Sequence, residues 1–190
     1  MKVIAFNGSA RKQGNTAILI NTALDELKAE GIDTELYELA GKPISGCIAC
    51  LQCIKNKDRR CAVKDDILNE CIEKMLGADG IILGSPTYFS DVTAGTRALI
   101  ERSGYVARAN DHMFKRKVGA GVVAVRRAGA IHAFNSLNLF FCISQMIIPG
   151  SSYWNLGVGR EIGEVKNDAE GLQTMKVLGQ NMAWLLKKIA

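Results

Sequence analysis

Four cysteines crowd one short stretch of this chain: Cys47, Cys50 and Cys53 at two-residue gaps, then Cys61 after seven further residues. Three thiols so spaced can fold round one metal cluster and leave the fourth corner to a more distant thiolate. Zinc also takes four thiolates, although its sites more often use two separated Cys-x2-Cys pairs. A disulfide formed in air, or four thiols without any metal, are the plainer readings. A second chemical group is Gly8-Ser9-Ala10-Arg11-Lys12-Gln13-Gly14-Asn15-Thr16. Such a loop can aim backbone N–H groups, two hydroxyls and a guanidinium at an anion lying on the positive end of the helix that follows. It is not a Walker loop, since no Lys-Ser/Thr pair follows the second glycine, and Gly8, Ser9 and Ala10 break the dinucleotide glycine spacing. A bare helix cap at Asn15 or Thr16 needs fewer polar side chains than stand here.

The remaining candidates are weaker. Cys71 shares a helical face with Ile67, Leu68, Ile72 and Met75, and Cys142 lies in an apolar run, so both read as core thiols. His112 and His132 sit in no motif and read as structural or solvent-facing. Lys115, Arg116 and Lys117 form the densest basic group and read as a solvated loop.

The elements that must carry these residues alternate. Residues 2–6 form an apolar run of strand length before the Asn7-Gly8-Ser9 turn. Ala17, Ile18, Leu24 and Leu27 then recur at helical spacing until Gly31, a residue suited to end a helix. Residues 32–39 alternate with period two, as a half-buried edge strand does. Residues 40–63 break the rhythm and hold the four clustered cysteines, and a loop this long in a compact domain is usually functional. Asp65-Asp66 opens a helix whose positive end both acids favour. Residues 80–84, 118–125 and 147–154 are predicted strands; residues 93–102, 134–145 and 168–189 are predicted helices. Such alternation predicts an α/β fold, one parallel sheet with helices on both faces. Ligands of such sheets bind outside the strands' carboxyl ends. Three loops fall there: residues 7–16, 85–91 and 126–129.

Composition sets the bounds. The chain has 190 residues, 48% of them hydrophobic and 23% charged, which fits a single globular domain over residues 1–190 and excludes a disordered chain. No apolar run reaches the ~18–20 residues of a membrane span, and no export leader is visible. A net charge of +5, spread along the chain, suits anionic small molecules or acidic partners and falls short of a nucleic-acid footprint. Six cysteines without an export signal point to reduced thiols in a cytoplasm.

The loop Gly8-Ser9-x-Arg11-x-x-Gly14-Asn15-Thr16, the turn Gly84-Ser85-Pro86-Thr87-Tyr88-Phe89 and the helix Gly95-x-x-Ala98-Leu99-Ile100-Glu101-Arg102 together resemble the NAD(P)H-dependent FMN reductase family. The resemblance runs over nearly the whole chain. It implies a flavodoxin-like, doubly wound five-stranded sheet in the order 2-1-3-4-5. It implies that Ser9, Arg11, Asn15 and Thr16, in one loop with Gln13 and Gly14, hold the FMN phosphate. Pro86, Thr87, Tyr88 and Phe89 would line the flavin ring, for which a turn with a fixed proline and aromatics supplies a flat apolar wall. Arg126 and Arg127, before Gly129, would balance charge on reduced flavin, grip a nicotinamide dinucleotide, or simply face solvent. Within the same fold, Cys47, Cys50, Cys53 and Cys61 resemble the set that ligates a [4Fe–4S] cluster in iron–sulfur flavoproteins. The implied activity is electron transfer from NAD(P)H, ferredoxin or another donor through FMN to an acceptor, with no protein acid or base. A cluster-free FMN or quinone reductase and a flavodoxin-type carrier are the alternatives. The resemblance also implies a homodimer or homotetramer, with Tyr153, Trp154 and residues 137–148 as candidate contacts.

Overall fold

The computed structural model describes residues 1–189. Five parallel strands form one sheet: β1 (Lys2–Asn7), β2 (Asp33–Glu38), β3 (Gly80–Pro86), β4 (Val118–Val125) and β5 (Leu156–Val158). Their spatial order is β2-β1-β3-β4-β5, as expected. The helices are α1 (Asn15–Ala29), α2 (Gln52–Asn56), α3 (Leu68–Leu76), α4 (Ala94–Ala109), α5 (Ala130–Ile143) and α6 (Ala169–Ile189), with a 3-10 turn over Glu164–Asn167.

Alternation along the strands sorts the core into two layers. Ile4, Phe6, Ile81, Leu83, Val123 and Val125 point to the layer closed by α3, α4 and α5. Val3, Ala5, Ile82, Val118, Ala120 and Val122 point to the layer closed by α1 and α6. Strand β4 carries Gly119 on the α5 side because Phe141 fills that space; a Cβ there would lie 2.5 Å from Phe141 Cδ1. On the opposite face the backbones of α1 and α6 come into contact. A Cβ at Gly179 would stand 2.5 Å from the Ala23 carbonyl, so only glycine permits this approach. Helix α1 ends as its sequence suggests: Gly31 takes φ +76°, its N–H reaches the Lys28 carbonyl at 2.9 Å, and the Ile32 N–H reaches Leu27 at 3.0 Å.

Four expectations are corrected. The fifth strand is Leu156–Val158 and not residues 147–154. Ile147 makes one bridge to Val118, after which Pro149 lacks a donor and the chain swings out, leaving Tyr153 and Trp154 about half exposed. Helix α5 begins at Ala130, four residues early, and buries Ala133, Leu137, Phe140 and Phe141. Cys142 therefore faces solvent with Leu139 and Ile143 and is not a core thiol, whereas Cys71 is wholly buried. Residues 112–117 are not purely a solvated loop: Phe114 is fully buried, and Lys117 Nζ donates to the Leu76 carbonyl at 3.0 Å and to that of Ala78. Among the described residues no helix is long and apolar enough to cross a membrane.

Candidate functional site

The chain leaves β1 for α1 and then β2 on one side, and reaches β3 on the other, so the sheet's switch point lies between β1 and β3. The carboxyl ends of both strands open there. Asn7 ends β1 fully buried and shapes the loop after it. Its Oδ1 accepts from the Ser9 N–H at 3.1 Å, and its Nδ2 donates to Glu38 at 2.8 Å and to the Lys12 carbonyl at 3.4 Å. Gly8 sits so close to α4 that a Cβ would lie 1.8 Å from Thr96 Oγ1. The Arg11 N–H donates to Ser9 Oγ at 3.1 Å, and the Gly14 N–H to the Arg11 carbonyl at 3.0 Å, which curls the loop round the start of α1.

Gly14 is the N-cap of α1, so no side chain bonds the helix's first turn and no acid occupies it. The N–H groups there lack intrahelical partners and carry the positive end of the helix dipole. The Asn15 side chain is engaged elsewhere. Its Nδ2 donates to the Glu161 carbonyl at 2.9 Å and its Oδ1 accepts from the Gly163 N–H at 2.9 Å. That clasp holds the segment after β5 against α1 and brings Gly159 and Arg160 to the cleft. Neither was anticipated from the sequence.

The β3 end forms the second wall. The Thr87 N–H extends the pairing to β4 by donating to the Ala124 carbonyl at 2.9 Å. Tyr88 and Asp91 exchange backbone bonds of 2.8 and 3.0 Å across a two-residue turn in which Phe89 and Ser90 take φ +47° and +64°. That mirror-image turn ordinarily selects Asn or Gly, so the backbone is strained beside the cleft. Gly129, at φ +87°, lies against it; a Cβ there would be 2.8 Å from Ser90 Oγ. Asp91 is held by the Ser136 hydroxyl at 2.7 Å, with His132 exposed 3.8 Å away. Burial works to raise the Asp91 carboxyl, but the Ser136 and Val92 hydrogen bonds outweigh it and hold the group below its ordinary value.

These pieces enclose one cleft of about 170 Å³. Ser9, Arg11, Gly14, Asn15 and Thr16 line it from the first loop, Pro86, Thr87 and Tyr88 from the second, and Arg126 from the third. Three arginines and no acid face it, counting Arg160, so it is an electropositive hollow. Thr87 Oγ1 is buried there without any hydrogen-bond partner. Such an orphan suits a polar atom of a ligand. Gln13 and Phe89 do not line the cleft, Phe89 being wholly exposed. Arg127 lines an adjoining hollow shared with Thr87 and Arg126, and Gly129 supports the strained turn rather than the cleft itself.

The cysteine loop is not a plain loop. Residues 52–56 form the short helix α2, with Leu51 before it and Lys57 after it in left-handed conformations. Ala49 and Arg59 are left-handed as well. The loop is pinned along α3 and α4. The Cys47 N–H donates to Glu101 at 3.1 Å, Asn69 clamps Cys61 through bonds of 2.8 and 3.0 Å, and the Ser45 N–H reaches Asp66 at 3.2 Å. Arg102, 1% exposed, pairs with Asp66 and donates through Nη2 to Cys61 Sγ at 3.3 Å. All four thiols and Arg102 line a single cavity of about 60 Å³. All six cysteines are free. Burial pushes the Cys53 thiol up, and the nearby Cys61 and Cys47 sulfurs push the same way. As placed, no three His, Cys, Asp or Glu side chains among the described residues stand close enough to hold a metal ion. The donor set is that of a soft, thiolate-bound metal.

The chain matches the family model described as NADPH-dependent FMN reductase over residues 1–161. It is 39% identical to an iron–sulfur flavoprotein of Methanocaldococcus jannaschii, with 100% of this chain and 99% of the relative aligned. A second iron–sulfur flavoprotein of that organism is 32% identical, over 93% of this chain and 92% of its own length. Among solved structures, RosB with bound 8-demethyl-8-formylriboflavin-5′-phosphate superposes with a TM-score of 0.78 at 19% identity, covering 100% of this chain and 80% of RosB.

Proposed function

This chain belongs to the NADPH-dependent FMN reductase family, and from that premise we propose that it is an FMN-dependent oxidoreductase carrying a [4Fe–4S] cluster on Cys47, Cys50, Cys53 and Cys61. It passes electrons between NAD(P)H or a ferredoxin-type donor and an acceptor. The observation that carries the flavin part is the cleft at the β1–β3 switch point. An uncapped helix start faced by Arg11, Arg126 and Arg160 accepts a phosphate, while Pro86 to Tyr88 offer a flat wall and Thr87 a free hydroxyl. The cluster part is supported by four thiols lining one cavity and by the names of the two relatives.

Bound FMN supplies two-electron acceptance with one-electron release, and a cluster supplies single-electron exchange. The protein's share is to hold these groups. Ser9, Arg11 and the first turn of α1 bind and orient the phosphate, and the strained 88–91 turn sets the aromatic edge of the cleft. The free thiols suit a reducing cytoplasm. Exposed Tyr153 and Trp154 suit contact with a second copy in a homodimer or homotetramer. One observation favours the second reading, a cluster-free NAD(P)H-dependent FMN or quinone reductase: the thiols as placed do not converge on one metal position.

Anaerobic purification with the visible spectrum, extracted flavin, iron and acid-labile sulfide measured on one sample separates the readings. FMN with about four iron and four sulfide per chain supports the first reading. FMN with no iron after anaerobic reconstitution leaves the cluster-free reductase. Neither FMN nor FMN uptake rejects both. Bleaching of the flavin by NADPH or NADH then tests the donor.

A further inference from the structure

We propose that Arg102 is a positioning residue for the cysteine-held cluster: its buried guanidinium donates to Cys61 and sets the cluster's reduction potential, with Asp66 as the counterweight. This inference rests on the cluster part of the proposed function and adds a residue that holds no metal itself.

Arg102 comes from the middle of α4 and is the largest side chain to be fully buried. A guanidinium is rarely placed so deep unless it is paired and its donors are used. Here Nη1 donates to the Ser45 carbonyl at 3.0 Å and to Asp66, and Nη2 donates to Cys61 Sγ at 3.3 Å. Nε is buried with no partner at all. Arg102 therefore brings to the cysteine cavity, which it lines, more donor capacity than the protein uses.

Three effects act on Cys61 together. Asn69 fixes its backbone from α3, Arg102 fixes its sulfur from α4, and the Asp66–Arg102 pair ties α4 to the turn that opens α3. An N–H bond to a ligating sulfur, and a positive charge near the cluster, both favour the more negative reduced state and so raise the reduction potential. Asp66 works against this, because its carboxylate partly cancels the guanidinium charge. The pair gives the site two opposed settings, each open to a single substitution.

The test is a redox titration of the anaerobically reconstituted holoprotein, following the cluster signal, with iron, sulfide and FMN quantified in each sample. Arg102→Met is expected to shift the cluster midpoint to more negative values, Arg102→Lys to shift it less, and Asp66→Asn to shift it the opposite way. A merely structural Arg102 would lower cluster occupancy and leave the midpoint of the loaded molecules unmoved; that result overturns the inference and leaves the proposed function standing. Wild-type protein that binds FMN and takes up no iron overturns the cluster reading and this inference together. If Arg102→Met does not fold, Asp66→Asn and the double variant D66N/R102M decide. An unmoved or more negative midpoint in Asp66→Asn, or a double-variant midpoint no more negative than that of Asp66→Asn, overturns it.

Discussion

The Thr93 hydroxyl donates to the Gly8 carbonyl at 2.8 Å, joining the cap of α4 to the loop that shapes the anion cleft. The same Oγ1 accepts from the Thr96 N–H, and the Thr93 N–H donates to Ser85 Oγ at 3.0 Å. Eight and nine residues further along, Glu101 and Arg102 of α4 hold the cysteine loop. One helix thus braces both candidate sites. Thr93→Ala removes the cap and the tie, so it should cost about 0.5–2 kcal/mol of stability. It should also weaken FMN binding more than an equally destabilising change in α6, measured by flavin fluorescence titration beside urea unfolding.

Arg11 faces the cleft from the first loop, where a phosphate would meet the start of α1. A charge-assisted hydrogen bond contributes about 1.5–3 kcal/mol, so Arg11→Ala should weaken FMN about ten- to a hundredfold. Riboflavin, which lacks the phosphate, should bind the variant and the wild type alike. Equal losses for both ligands would remove Arg11 from the phosphate site.

Gly8 is enforced by contact. With the Cβ of an alanine 1.8 Å from Thr96 Oγ1, Gly8→Ala should destabilise by about 1–3 kcal/mol through overpacking. Adding Thr96→Ala removes the clashing oxygen and leaves the nearest side-chain atom, Thr96 Cβ, at 3.2 Å. Urea unfolding of the double variant should therefore recover part of the loss.

The buried Asp66–Arg102 pair makes stability depend on acid. Burial works to raise the Asp66 carboxyl, but the hydrogen bond from Arg102 and those from the Leu68 and Ser45 N–H groups prevail and hold it below its ordinary value. A lowered folded pKa gives stabilisation that is complete above the unfolded carboxylate value, near ~4, and is lost as pH falls through the folded value. Asp66→Asn leaves the guanidinium uncompensated and should cost about 3–5 kcal/mol at pH 7. The gap between variant and wild type should narrow below pH ~4, read from urea unfolding at a series of pH values.

Thiol chemistry should separate the six cysteines. Burial pushes the Cys71 thiol up to about 12, and the side chain is fully enclosed, so it should resist alkylation in the native protein. Cys47, Cys50 and Cys142 are exposed and should react first in metal-free protein, as peptide mapping after brief iodoacetamide treatment would report.

Much of this arrangement was legible in the chain because its causes are local. Ser9 and Arg11 shape their loop through partners two to three residues away, and Gly31 ends α1 by a backbone conformation of its own. The unread parts depend on distant partners. Arg160 reaches the cleft only because Asn15 clasps the Glu161 carbonyl across 146 positions. Asn7 looked like a turn residue and is a buried organiser, bonded to Glu38 on the neighbouring strand. Residues 147–154 carry the stronger strand pattern, yet Leu156–Val158 won the sheet edge by pairing with Val123 to Val125. Cys142 misled because its apolar neighbours Leu139 and Ile143 point outward too.

The close approach of α6 to α1 at Gly179 also bears on the order of events at the ribosome. The apolar flank of α1, with Leu19, Ala23 and Leu27 on it, emerges early, while the helix that covers it is the last described element to be made. Until α6 is made, that flank lacks this cover and the layer it belongs to stays open. Stalled fragments ending before α6 should therefore aggregate or be recovered bound to chaperones.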